Sequence, residues 1–165
     1  MNDRTKKNLN EAFVGEAKAY QRLLMYAKKA QEEELPQIAR LFRVIAESEG
    51  IHARRHFALL EKVSDTQTNL ENSFQSEKMV NGVYYPKMIK EAEEDGDKGA
   101  VIAFSQARDV EQVHAKLYEN ALKHMMEEKN VDYYVCPVCG YVSEGPMNEN
   151  CPVCGAPKEK FYKVE

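Results

Sequence analysis

What this chain of 165 residues lacks already narrows its class. It has no basic excess: 23 lysines and arginines face 27 aspartates and glutamates, for a formal net charge of −4. Nucleic acid is therefore not an expected partner, since its binders carry a basic face. No apolar run approaches the roughly eighteen residues of a membrane-crossing helix, and the opening MNDRTKKNLN lacks the apolar segment of a secretory leader. A cytoplasmic location without a membrane partner is expected. The first 135 residues contain no cysteine; all four cysteines follow, as two C-x-x-C pairs. In a reducing compartment such pairs read as metal ligands, not disulfides.

The cysteine-free part is dominated by helical periodicity. Apolar residues recur in steps of three and four along four segments: 3–34, 36–63, about 70 to 93, and about 100 to 128. Pro36 suits the first turn of the second helix, and Ser64 to Asn69 reads as a connection. Each stripe is interrupted by acid: Glu16 in the first, Glu49 with His52 in the second, Glu77 in the third, Glu111 with His114 in the fourth. Residues three apart share a helix face, so each Glu-x-x-His pair points one way. The helices form an internal repeat of two. Glu16 precedes Glu49 by 33 residues and Glu77 precedes Glu111 by 34, and GIHARRHFALL (50–60) echoes QVHAKLYENAL (112–122).

Four carboxylates facing one core repel each other and lose solvation, so they must take up protons or cations. Two divalent ions with two neutral imidazoles balance the four charges. A binuclear site is expected, with Glu49 and Glu111 bridging, Glu16 and His52 completing one shell, and Glu77 and His114 the other. Oxygen-rich shells with one histidine each suit iron or manganese. His56 has Tyr118 as its repeat counterpart and reads as a hydrogen-bonded core histidine; His124 lies off the seam and reads as solvated. Tyr20, Tyr84 and Tyr85 could supply protons, although aromatic packing is the simpler reading.

The last 35 residues lose the helical period and read as a small β-rich module, too short for a core of its own without a metal. Cys136-Pro-Val-Cys139-Gly and Cys151-Pro-Val-Cys154-Gly make two knuckles that place four thiolates tetrahedrally. Iron and zinc both suit such a site; beside a redox pair, iron is expected.

VGEAKAY around Glu16, the two Glu-x-x-His pairs, Glu77 followed by Tyr85-Pro86, and CPVCGY…CPVCGAPKEKF together resemble the rubrerythrin family over essentially the whole chain. The resemblance implies a mainly α protein: a ferritin-like four-helix bundle over 1–130, followed by a rubredoxin-like metal domain over 131–165. It implies a di-iron peroxidase reducing hydrogen peroxide to water in oxidative-stress defence. Electrons would come from an upstream reductase or rubredoxin through one iron at the four cysteines, with zinc as the other possible occupant. The alternatives are a dioxygen or ferrous-iron oxidase and a non-catalytic iron-binding or storage protein. One position departs from the pattern: the family usually has a further glutamate three residues after the third-helix ligand, where this chain has Val80. In the family that acid exchanges with the first histidine as the redox state changes. Here His52 is expected to stay bound in both states.

Reach adds a further expectation. With helix two running to Val63 and helix three starting at Leu70, a two-fold-related bundle within one chain needs its link to span about 26 Å along the axis. The six connecting residues extend to at most about 24 Å. A helix-swapped homodimer is therefore expected.

Overall fold

The computed structural model describes all residues except 61, 126 and 128–130. The chain divides into two compact units, Met1–Ser64 and Asp65–Glu165. Among the described residues no helix is long and apolar enough to cross a membrane.

The first unit is a hairpin of α1 (Asp3–Glu32) and α2 (Pro36–Leu59). Asn2 caps α1 by accepting from the Thr5 N–H at 2.9 Å, which satisfies one of the free amides of the first turn. The helices approach closely through small residues: Ala39, Ala46, Gly50 and Ala53 of α2 and Ala27 and Ala30 of α1 are buried. Gly50 lies under the Tyr20 ring, where an added Cβ would stand 3.2 Å from a ring carbon. Phe13 and Phe57 stack with centroids 4.9 Å apart. Small residues on the shared face leave the larger apolar side chains on the flanks, and Leu41, Val44 and Ile51 of α2 are more than half or about half exposed.

The second unit holds α3 (Thr66–Met79), a π-helical turn (Val80–Tyr84), α4 (Tyr85–Glu94) and α5 (Lys98–Lys123). A three-stranded antiparallel sheet follows: β1 (Tyr133–Val135), β2 (Val142–Glu144) and β3 (Tyr162–Val164), in the order β2-β1-β3. Aligned partners are Tyr134 with Ser143 on one side and with Lys163 on the other. Asp97 caps α5 by accepting from the Ala100 N–H at 3.0 Å.

Several boundaries differ from the periodicity. The connection expected at Ser64 to Asn69 is Leu60 to Asp65, because α2 stops at Leu59 and α3 starts at Thr66. Asp65 starts α3 early, its carboxylate accepting from both the amide and hydroxyl of Thr68 at 2.9 and 2.8 Å. The first helix ends at Glu32 instead of residue 34, and the last at Lys123 instead of 128. His124 and Met125 form a turn, and the rest of that expected helix falls partly outside the described residues.

The two hairpin turns share one construction. The Leu35 N–H bonds the Ala30 carbonyl at 2.9 Å, and the Asp97 N–H bonds the Ala92 carbonyl at 3.0 Å. In each, the preceding residue takes a left-handed conformation: Glu34 at φ 58° and Gly96 at φ 73°. Glycine accepts this geometry freely, whereas a side chain is strained there by about 1–2 kcal/mol. Glu34→Gly is accordingly expected to stabilise the protein by about 1 kcal/mol despite the added freedom of its unfolded chain. Urea denaturation of the parent and the variant checks this, with an unchanged or lower midpoint as the contrary result.

Candidate metal centres

Three clusters of ligand-type side chains emerge, each with its donor atoms within 4.8 Å of one another: Glu16, Glu49 and His52; Glu77, Glu111 and His114; and the four cysteines. The six seam residues expected from the sequence thus gather as two sets of three, one in each unit.

In the first unit the Nδ1 of His52 lies 3.1 Å from Glu49 and 4.0 Å from Glu16. In the second, the Nδ1 of His114 lies 2.8 Å from Glu111, while its Nε2 faces the Gly140 carbonyl oxygen at 3.3 Å. The imidazoles differ in shelter: the His52 side chain is 48% exposed and that of His114 25%. None of the four glutamates is fully buried within the single chain. Each unit supplies two or three helices, so its seam lacks part of the wall that a four-helix bundle would give it.

Electrostatics bears out the crowding of acids in the second unit. Burial holds Glu77 above the usual carboxylate range, reinforced by the charge of Glu111 and a hydrogen bond shared with it. Tyr85 is also pushed up, by burial first and then by Glu111 and Glu77, which places its phenol in the field of both acids. The ring of Tyr85 packs beside Phe104 at 6.2 Å, so the packing reading and the proton-holding reading both apply.

The π turn follows directly on the helix bearing Glu77 and explains the mismatch between 33 and 34 residues in the repeat. Glu77 follows Glu16 by 61 positions, but the hairpin-end alanine Ala92 follows Ala30 by 62. One residue is inserted between them, and Val80–Tyr84 absorbs it as a wider turn without breaking the helix. Asn81, the counterpart of Tyr20, donates from its side chain to the Arg108 carbonyl of α5 at 2.6 Å and tacks this turn down. Sequence reasoning missed this contact and the turn itself; the uneven repeat was the available signal. Val80 opens the turn where the family pattern has its further acid.

His56 departs from expectation as well. Its Nδ1 is buried without a hydrogen-bond partner among the described residues. His124 is exposed as expected and pairs with Glu127 at 2.9 Å.

The cysteine knuckles are near copies. Cys136 N–H bonds the Tyr141 carbonyl at 2.9 Å and Cys151 N–H bonds that of Ala156 at 2.8 Å. Gly140 and Gly155 take φ 82° and 72°, the left-handed values that glycine adopts without strain. The Sγ atoms of Cys136 and Cys154 are 3.7 Å apart and those of Cys139 and Cys151 3.6 Å. A tetrahedral ion with thiolate bonds of about 2.3 Å has edges of about 3.8 Å, so the four sulfurs fit a metal. Burial and the neighbouring thiols push the Cys139 thiol far up, whereas at Cys136 the Cys139 and Val138 amides outweigh burial and lower it. Four sulfurs so placed resist ionising together without a cation.

The rubrerythrin family model matches residues 7–122, and the model of the rubredoxin-like domain of rubrerythrin matches 134–162. The chain belongs to the rubrerythrin family. It is 35% identical to rubrerythrin-2 of Clostridium acetobutylicum over 93% of this chain and 92% of the relative. It is 32% identical to nigerythrin of Nitratidesulfovibrio vulgaris over 95% of this chain and 85% of the relative. Solved structures of nigerythrin in mixed-valence and fully reduced, all-ferrous states cover 97% of the chain with TM-scores of 0.61 and 0.60. The fold is the family's, a ferritin-like helical bundle with a rubredoxin-like domain after it. The cofactors are those of the family, a di-iron carboxylate centre and an iron at the four cysteines, and both donor sets are present.

The raised Glu77 carries a sign. Its folded value lies above the unfolded one, so metal-free protein is favoured while this acid is protonated and loses that stability as pH rises through the unfolded value towards the folded one. Glu77→Gln is therefore expected to raise the melting temperature of metal-free protein at pH 7 and to lower bound metal. The gain should vanish below about pH 4, where the parent acid is protonated in both states. Melting scans across pH check it, with a destabilised metal-free variant as the contrary result.

Proposed function

We propose that this protein is a hydrogen peroxide reductase. A di-iron centre held by Glu16, Glu49, His52, Glu77, Glu111 and His114 would be refilled with electrons through an iron at Cys136, Cys139, Cys151 and Cys154. The observation that carries the reading is the pairing of two carboxylate-histidine triads of the same residue types with a four-cysteine inlet whose Gly140 carbonyl reaches one of the triads at 3.3 Å. A bound iron pair supplies two electrons and a Lewis acid for an O–O bond. The residues around it manage charge and protons. Glu49 and Glu111 would hold both metals, and Glu16 and Glu77 would each complete one shell. Tyr85, held protonated by burial and two acids, keeps a proton beside the Glu77–Glu111 pair. The electron donor upstream is a reductase or a rubredoxin.

The working site is shared between two copies. Each unit holds only one triad, so a complete centre needs a first unit and a second unit together. Helix α2 runs seven residues past His52 and α3 starts eleven before Glu77, lengths of about 10 and 16 Å. Within one bundle whose middle helices run parallel, the link from Leu59 to Thr66 would have to cover that whole distance. Fully extended it reaches only about 24 Å, and Leu60 is in fact helical at φ −74° and ψ −6°. A swapped homodimer removes the strain and covers the exposed Leu41, Val44 and Ile51. The functional division of each chain is the bundle at 1–130 and the metal module at 131–165.

Val80, where the family pattern has an acid, favours a second reading as an oxidase of dioxygen or ferrous iron, with His52 bound throughout. Reduced protein mixed separately with peroxide and with air separates the readings by the return of visible absorbance. Fast oxidation by peroxide alone is expected. Fast oxidation by air instead makes it an oxidase, and reaction with neither makes it an iron-binding protein.

A further inference from the structure

The two triads match in residue type but not in what stands behind their histidines. The His114 Nδ1 faces the carboxylates, and its Nε2 faces the Gly140 carbonyl of the first cysteine knuckle. A carbonyl only accepts, so it selects the form with hydrogen on Nε2 and leaves the Nδ1 lone pair for a cation. His52 is bonded only on its carboxylate side among the described residues and is nearly half exposed.

The placement of that accepting carbonyl is conditional. Gly140 is positioned by its own N–H bond to the Cys136 carbonyl at 3.0 Å and by φ 82°. The module's buried core is Cys136, Cys151 and Ala156, with Cys139 and Cys154 among the few side chains packed on it. A module this small, with cysteines making up much of its core, holds its shape only when a metal ties them together.

We propose that the Cys136–Gly140 knuckle is the outer hydrogen-bond partner of His114, so that metal at the four cysteines sets the metal affinity of the Glu77–Glu111–His114 half of the carboxylate site. The inference rests on the ligand roles given above. Loading is then ordered: the cysteine site fills first, and the carboxylate half beside α5 tightens afterwards. A carboxylate centre is thereby completed only in a chain whose electron inlet is already built. Gly140 and His114 act here as a positioning pair, independent of any electron flow through them.

The test uses full-length protein with zinc at the cysteines and Co(II) as the probe for the carboxylate site, its affinity read by competition with a coloured chelator. Cys139→Ser/Cys154→Ser is expected to weaken Co(II) binding by about 10- to 100-fold, the usual effect of losing an outer-shell partner. The same penalty should appear in a His52→Ala background and disappear in His114→Ala. Zinc-loaded and iron-loaded cysteine sites should support equal Co(II) affinity, although zinc cannot relay electrons; a failed peroxidase reading therefore leaves this result intact. Equal affinity with and without the cysteine metal, or a penalty that survives His114→Ala, overturns the proposal. Absence of any Co(II) binding in the intact chain overturns the ligand roles and the proposal together. If the double variant loses its helical circular dichroism, Gly140→Ala takes its place, since a side chain is strained at φ 82° while every cysteine remains. It is expected to weaken Co(II) binding with His114 present and not in His114→Ala; an unchanged affinity overturns the proposal.

Discussion

Repulsion among acids that share one helical seam is the constraint on which this structure depends. Burial and the charge of Glu111 push Glu77 up from its ordinary carboxylate value, and the first unit presents the same trio of groups through Glu16, Glu49 and His52. Apolar side chains at these positions would pack better and require nothing. The acids at these positions leave each seam with a repulsion that a bound cation would relieve. The cysteine module repeats the logic with sulfur: its buried centre consists largely of thiols that resist joint ionisation.

Around that constraint the repeat has diverged in instructive places. Ala30 and Ala92 accept the same turn-closing bond, yet the left-handed residue is Glu34 in one hairpin and Gly96 in the other. The second hairpin has gained a residue and taken it up as the π turn Val80–Tyr84, just beyond its seam glutamate Glu77. Shelter has diverged too: the His114 Nε2 faces the Gly140 carbonyl and its side chain is 25% exposed, against 48% for His52. Two-fold symmetry in sequence therefore does not give two equivalent metal environments.

Much of this was legible beforehand. Helical steps placed all six carboxylate and imidazole groups on the seams, and the C-P-V-C-G knuckles announced four gathered sulfurs, because both features are local and repeated. The boundaries at Leu59 and Thr66 were misplaced by about four residues because the Asp65 cap outweighs the apolar pattern. The π turn was hidden because periodicity tolerates one extra residue, although the spacings of 33 and 34 recorded it. The Gly140 contact was invisible because a backbone carbonyl has no letter of its own. Seam position reads His56 as a bonded core histidine, yet its Nδ1 has no partner among the described residues, so the seam alone does not supply an acceptor.

Native mass spectrometry of the iron-loaded protein tests the central claim most directly. The account predicts a dimer carrying two ions per carboxylate centre and one per cysteine site, with the carboxylate ions lost when Glu49 or Glu111 becomes alanine. A monomer with its full metal complement, or a loaded dimer whose carboxylate seams hold no ion pair, would contradict it.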